Sequence, residues 1–169
     1  MTQSQATEAG FSLMELLVVV ALVGILAGLA IPNFLRNWQG ERLNSANKQA
    51  IAWLDDLRRK AIQQSSPCRV VISSSPPQMI GSCDNDSTIT STLNLAAEIP
   101  NLDQLTFELV SNSPATWVFT PRGTTTTDAE LRMSLAGSSL GRCIRLLKPL
   151  GLLRSGKLRS GLCVYTSSY

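Results

Sequence analysis

The sequence predicts an α+β chain: a long N-terminal helix followed by an antiparallel β-sheet domain packed on the helix's second half. Three observations carry this. Residues 16 to 31 are continuously apolar, and from Leu35 to Ala61 apolar residues recur mainly at three- and four-residue steps. From Cys68 onward, β-branched and apolar residues come in short runs separated by turn residues. No long helical pattern recurs in that half. Helix first and strands after imply a sheet laid against the apolar face of the helix.

The helix begins in an apolar run. Phe11 to Ile31 is 21 residues, long enough to cross a bilayer at about 1.5 Å per residue. One carboxylate, Glu15, interrupts it. A charge at that depth is costly, about 2.5–3.5 kcal/mol on the mildest scale, so an intramembrane acid reads as functional by default. Gly24 and Gly28 form a GxxxG, equally readable as a helix-packing face or as common small residues of a span. After Pro32 the amphipathic pattern resumes at Leu35, Trp38, Leu43, Ala46, Ala50, Leu54, Leu57 and Ala61. Ser65-Ser66-Pro67 ends it, because proline cannot continue the hydrogen-bond ladder.

Strands are expected at residues 68–73 and 78–83, with Pro76-Pro77 as the turn between them and Asp84-Asn85-Asp86 as the next. Further strands are expected at 88–95, 105–110, 117–120, 131–135, 143–147 and 158–165. The chain of 169 residues leaves roughly 130 beyond the apolar run, enough for one domain. Its four cysteines, Cys68, Cys83, Cys143 and Cys163, lack any C-x-x-C, and histidine is absent. A zinc site built from all four is the lesser reading, since zinc ligands come in close pairs. An even count in an exported domain points to disulfides. Of the three connectivities, Cys68 with Cys83 and Cys143 with Cys163 suit β-hairpins best.

The N-terminal pattern of a small residue, Gly10, then Phe11, then a lone acid, Glu15, in an otherwise apolar span resembles the prepilin processing signal. That signal marks type IV pilins and the pseudopilins of type II secretion. The resemblance implies cleavage after Gly10 by a prepilin peptidase and N-methylation of Phe11. It also implies that Glu15 attracts the N-terminal amine of a neighbouring subunit during assembly, pairing two charges that are each costly in lipid. It divides the chain into a leader at 1–10, a transmembrane segment at 11–31, an amphipathic continuation at 32–66 and a β-rich periplasmic domain at 67–169. The partners implied are the peptidase, inner-membrane lipid and other pilins or pseudopilins in a helical filament. A conventional secretory signal fits less well: Met1 to Gly10 holds no Lys or Arg, although Gly28-Leu29-Ala30 offers a small-residue site. Arg36, Arg42 and Lys48 follow the span, and by the positive-inside rule they favour the opposite orientation.

Later motifs, Trp117 to Gly123, Gly141-Arg142-Cys143-Ile144-Arg145 and Gly156-Lys157-Leu158-Arg159, resemble the GspH/FimT group of minor pilins. In its FimT branch the resemblance implies capture of double-stranded DNA during natural transformation. The charge distribution bears on this. Residues 1–130 carry eight basic and twelve acidic side chains, whereas residues 131–169 carry seven basic and none acidic. The DNA-binding candidates are Arg145, Lys148, Arg154, Lys157 and Arg159, bracketing the turn-like Pro149-Leu150-Gly151 as a shared basic rim. The plainer reading is a solvated face, or pairing with acids such as Asp55 and Asp56 on neighbouring subunits. Arg58-Arg59-Lys60 lies near the helix C-terminus, where the helix dipole favours cations, and reads as structural.

Nothing points to catalysis or a cofactor. Without histidine the common acid–base relays are missing. There is no Gly-x-Ser-x-Gly, P-loop or dinucleotide fingerprint. Thr124 to Thr127 reads as a polar turn. The expectation is a non-enzymatic minor pilin or pseudopilin of the inner membrane. The alternatives are a DNA-capturing minor pilin and a single-span periplasmic binding domain unrelated to pili.

Overall fold

Ser12 opens the first helix. Its carbonyl accepts from the backbone N–H groups of Glu15 and Leu16 at 3.1 and 3.2 Å, and its hydroxyl accepts from Glu15 N–H at 3.2 Å. This is the serine N-cap arrangement that satisfies donors left over at a helix start. In the computed structural model, residues 12–99, 102, 104–110, 112–137 and 139–165 are described, without the side chains of 29–36 and 86–89. Helix α1 runs Leu13–Gln63, and the chain divides into two units, Met1–Gln39 and Gly40–Tyr169.

In the first unit, eleven large apolar side chains from Leu13 to Leu26 are each 53–79% exposed. Gly10, Phe11 and the leader lie outside the described residues. So does the side chain of Leu35, while Trp38, expected on the buried face, is exposed.

The second unit buries the rest of the amphipathic face: Leu43, Ala46, Ala50, Leu54, Leu57 and Ala61 are at most 2% exposed. Two antiparallel sheets meet this face, where a single sheet was expected. The first has four strands, β1 (Cys68–Ser74), β2 (Pro77–Cys83), β3 (Asp86–Leu93) and β5 (Thr116–Phe119), in the order β3-β2-β1-β5. The second has five, β4 (Leu105–Leu109), β6 (Ala129–Leu135), β7 (Gly141–Leu147), β8 (Leu152–Arg159) and β9 (Leu162–Tyr165), in the order β4-β6-β7-β8-β9. A single turn of helix, α2 (Leu95–Glu98), capped by Asn94, joins β3 to β4.

Polar contacts fix α1 to both sheets. Trp53 Nε1 donates to Ser91 Oγ on β3 at 3.0 Å, and Asn47 Nδ2 donates to Ser155 Oγ on β8 at 2.6 Å. Gly81 lets β2 approach the helix: a Cβ there would lie 2.5 Å from Leu57 Cδ1. At the helix C-terminus Arg58 Nε donates to the Gly123 carbonyl at 2.7 Å, tying α1 to the loop after β5.

Both cysteine pairings are as expected, Cys68–Cys83 and Cys143–Cys163. All four sulfurs are therefore unavailable to zinc. The first bond lies in a hairpin, where Cys68 and Cys83 are direct register partners on β1 and β2. The second does not. It links β7 to β9 across β8, with the Cα atoms 6.1 Å apart. Two strand spacings of about 4.8 Å would separate them further in a flat sheet, so β9 curls over one face. Residues 158–165, expected as one strand, are broken by a turn at Ser160-Gly161, where both residues have positive φ. The strand before it, β8, begins at Leu152.

Candidate functional site

The candidate site residues fall in two regions, and the N-terminal one is built on the helix start. Glu15 is the third helical residue after the Ser12 cap, the position of the acid in a capping box. Its carboxylate is exposed among exposed leucines and valines. A first-turn acid also complements the helix dipole, so Glu15 has a local structural role that the Ser12-x-x-Glu15 spacing displays and the expectation above left out. Over the described residues no helix is long and apolar enough to cross a membrane. Described side chains end at Gly28 here, whereas the apolar run of the sequence continues to Ile31.

The second region is the basic C-terminal half, and strand alternation decides its layout. In the five-stranded sheet, Leu131, Ile144, Leu146 and Leu153 line the helix-facing side together with Ser155, which accepts from Asn47. Lys157 and Arg159, two and four residues beyond Ser155, therefore share that side. Arg145 and Arg154 are register partners on the opposite side, and Lys148 lies in the β7–β8 turn. The five candidates thus divide between two faces and a turn rather than forming one rim. Arg142, not among the candidates, stands directly opposite Lys157, with its Nε donating to Asn44 Oδ1 at 3.5 Å.

The face away from the helix holds a charge network. Tyr165 Oη on β9 donates to Glu130 Oε2 on β6 at 2.6 Å, possible only because β9 curls back. Arg132 Nε donates to Glu130 Oε1 at 3.2 Å, and Arg145 pairs with Asp128 at 3.7 Å. Burial, then the hydrogen bond to Glu130 and its charge, push the Tyr165 phenol well above its ordinary value, against the opposing pull of Arg145 and Arg132. Gly156 makes the crossing feasible, since a Cβ there would lie 2.9 Å from the Tyr165 ring.

Other charges are satisfied locally. Asp55 pairs with Arg58 and Arg59, and Asp56 with Lys60, so these acids already have partners on their own helix. This agrees with a structural role for residues 58–60. The Thr124–Thr127 segment is an ordered turn: Thr125 Oγ1, on a residue only 2% exposed, donates to the Val118 carbonyl at 2.6 Å. Among the described residues no cluster of potential ligands could hold a metal.

Residues 6–31 match the prokaryotic N-terminal methylation motif. Over 27 residues the chain is 63% identical to the type IV major pilin protein PilA of Myxococcus xanthus (strain DK1622), a stretch covering 16% of this chain and 12% of that relative. The chain thus spans only a small part of that relative's length. The fold is similar to that of the type IV minor pilin FimU of Pseudomonas aeruginosa (strain PAO1), with a TM-score of 0.53 and 16% identity, covering 73% of this chain and 93% of that one. The motif match is confined to residues 6–31, and the likeness to FimU shows a shared fold, a long N-terminal helix followed by antiparallel sheets.

Proposed function

We propose that the chain is a minor pilin or pseudopilin, cleaved after Gly10, N-methylated at Phe11 and held in the bacterial inner membrane by residues 11–31 until it joins a filament. Its role is structural rather than catalytic. The observation that carries this reading is the run of exposed apolar side chains from Leu13 to Leu26 with Glu15 alone among them. Burying each such side chain is worth about 1.5–3 kcal/mol, so the run calls for cover from lipid or from other subunits. Glu15 supplies a partner for the N-terminal amine of a neighbour in that apolar setting. N-terminal sequencing and intact mass of membrane-extracted protein test it. An N-methylated Phe11 is expected, and a start at Met1 or Ile31 would sink the reading.

A second reading, capture of double-stranded DNA by such a filament, draws on residues 131–169, which carry seven cations and no acid. Because the cations occupy two faces, a duplex would engage either Arg145 and Arg154 or Lys157 and Arg159 first. Retardation of a DNA duplex should then be lost on reversing one pair and kept on reversing the other. Equal loss from both would contradict a single docking face.

A further inference from the structure

The two disulfides stand in different surroundings. Cys68 and Cys83 both belong to the hydrophobic core and are at most 7% exposed. Cys143 is buried but lies outside that core, and Cys163, on the edge strand β9, is half-buried. No side chain of residues 162–165 enters the core. Among the described residues, β9 is held by its backbone bonds to β8, by the Cys143–Cys163 bond and by the hydrogen bond from Tyr165 to Glu130.

Cys143 also stands among cations. Ile144 and Leu146 face the helix, so Cys143 and Arg145 share the other face of β7. On that face Arg132 of β6 is the register partner of Cys143, and Arg154 of β8 that of Arg145. Two acids reach it: Glu130, bonded to Arg132 and Tyr165, and Asp128, 3.7 Å from Arg145. Three guanidinium groups thus meet two carboxylates, and Arg145 Nε is buried without a hydrogen-bond partner among the described residues. Like charges directly opposite on neighbouring strands, as Arg145 and Arg154 are, destabilise a sheet. A negative charge at Cys143 relieves that repulsion. Neighbouring cations lower a thiol's pKa, and a thiol of lower pKa leaves a disulfide faster. Cys68 has no such setting, with Cys83 and Phe119 as its register partners.

We propose that Cys143–Cys163 is a redox-exchangeable bond opened by a dithiol protein, whereas Cys68–Cys83 is purely structural. A thiolate of the dithiol attacks Sγ of Cys163, which belongs to the more exposed residue of the pair. The S–S bond breaks, and its electron pair leaves on Cys143 Sγ as a thiolate beside Arg132 and Arg145. The partner's second thiolate then displaces Cys163 from the mixed disulfide. Two electrons pass to the chain, the two protons of the partner's thiols end on Cys143 and Cys163, and the partner becomes a disulfide. Opening removes the covalent tether of β9. The inference concerns the second unit alone and is independent of N-terminal processing.

The test treats oxidised full-length chain in detergent micelles with increasing dithiothreitol and alkylates the thiols that appear. Peptide mass spectrometry should find Cys143 and Cys163 alkylated at a reductant level roughly tenfold below that needed for Cys68 and Cys83. A thioredoxin lacking its resolving cysteine should be trapped on Cys163 and not on Cys143. Arg132→Gln and Arg145→Gln should each slow opening several-fold, and Arg145→Lys should not. Amides of residues 162–165 should lose hydrogen-exchange protection on opening, while those of residues 43–61 keep theirs. Reduction of both bonds together overturns the proposal, as does trapping on Cys143. Opening rates indifferent to the glutamine substitutions, or β9 protection that survives reduction, overturn it too.

Discussion

Residues 13–26 and residues 43–61 belong to one helix and draw on the same aliphatic side chains, yet the first set is 53–79% exposed in its large apolar members and the second at most 2% at its core positions. Hydrophobicity alone does not distinguish them; arrangement does. The second stretch confines its apolar residues to a stripe, Leu43, Ala46, Ala50, Leu54, Leu57 and Ala61, with charges such as Asp56 and Arg59 elsewhere on the helix. A stripe can be covered by the chain's own sheets. The first stretch is apolar all round, which no single sheet face can cover.

Substitution of one leucine in each stretch should break the comparison if it is wrong. Leu54→Ala removes a fully buried core side chain and should cost about 2–5 kcal/mol of domain stability. Leu22→Ala, in the exposed stretch, should leave domain unfolding within about 0.5 kcal/mol of the parent. Chemical denaturation followed by tryptophan fluorescence reads both, since Trp117 is buried in the domain. Similar losses at the two sites would mean that residues 13–26 contribute to the domain's core.

A smaller effect sharpens the contrast within the second unit. The Cys68–Cys83 bond closes a 15-residue separation, worth about 3 kcal/mol in the chain-entropy model. Cys68→Ser with Cys83→Ser should lower the denaturation midpoint accordingly without changing the helical signal of the N-terminal stretch. A parallel loss of helix there would tie the two units more closely than their separate compositions suggest.

Much of this architecture was legible because its signals are local. Helical spacing gave the stripe from Leu43 to Ala61, Ser65-Ser66-Pro67 the helix end, and the hairpin reading paired Cys68 with Cys83. What escaped depends on distant partners. The curl of β9 comes from a disulfide whose pairing was expected but whose skip across β8 was not, and from Gly156 beneath Tyr165. The Ser160-Gly161 turn was hidden inside a run that reads as one strand, and β8 was missed because Leu152 to Gly156 lacks β-branched residues. The basic residues looked like one rim because sequence proximity says nothing of face until register is known. Asn47, 1% exposed yet bonded to Ser155, reads in sequence as a surface residue.

The smallest expected effect tests the curl itself. Tyr165 holds its proton more tightly in the folded chain than in the unfolded one, first through burial and then through Glu130. A raised folded-state value means that this stabilisation is complete below the unfolded phenol's pKa of 10.0 and shrinks as pH climbs above it. Tyr165→Phe keeps the ring against Gly156 and removes the hydroxyl. It should cost toward the low end of about 0.5–1.5 kcal/mol near neutral pH, because the residue is only half-buried. The gap between parent and variant should then close in alkaline solution. A gap that persists unchanged through that range would mean that the ring, not the Tyr165–Glu130 hydrogen bond, holds β9 over the sheet. The Cys143–Cys163 bond would then be the covalent tether that holds β9 over that face.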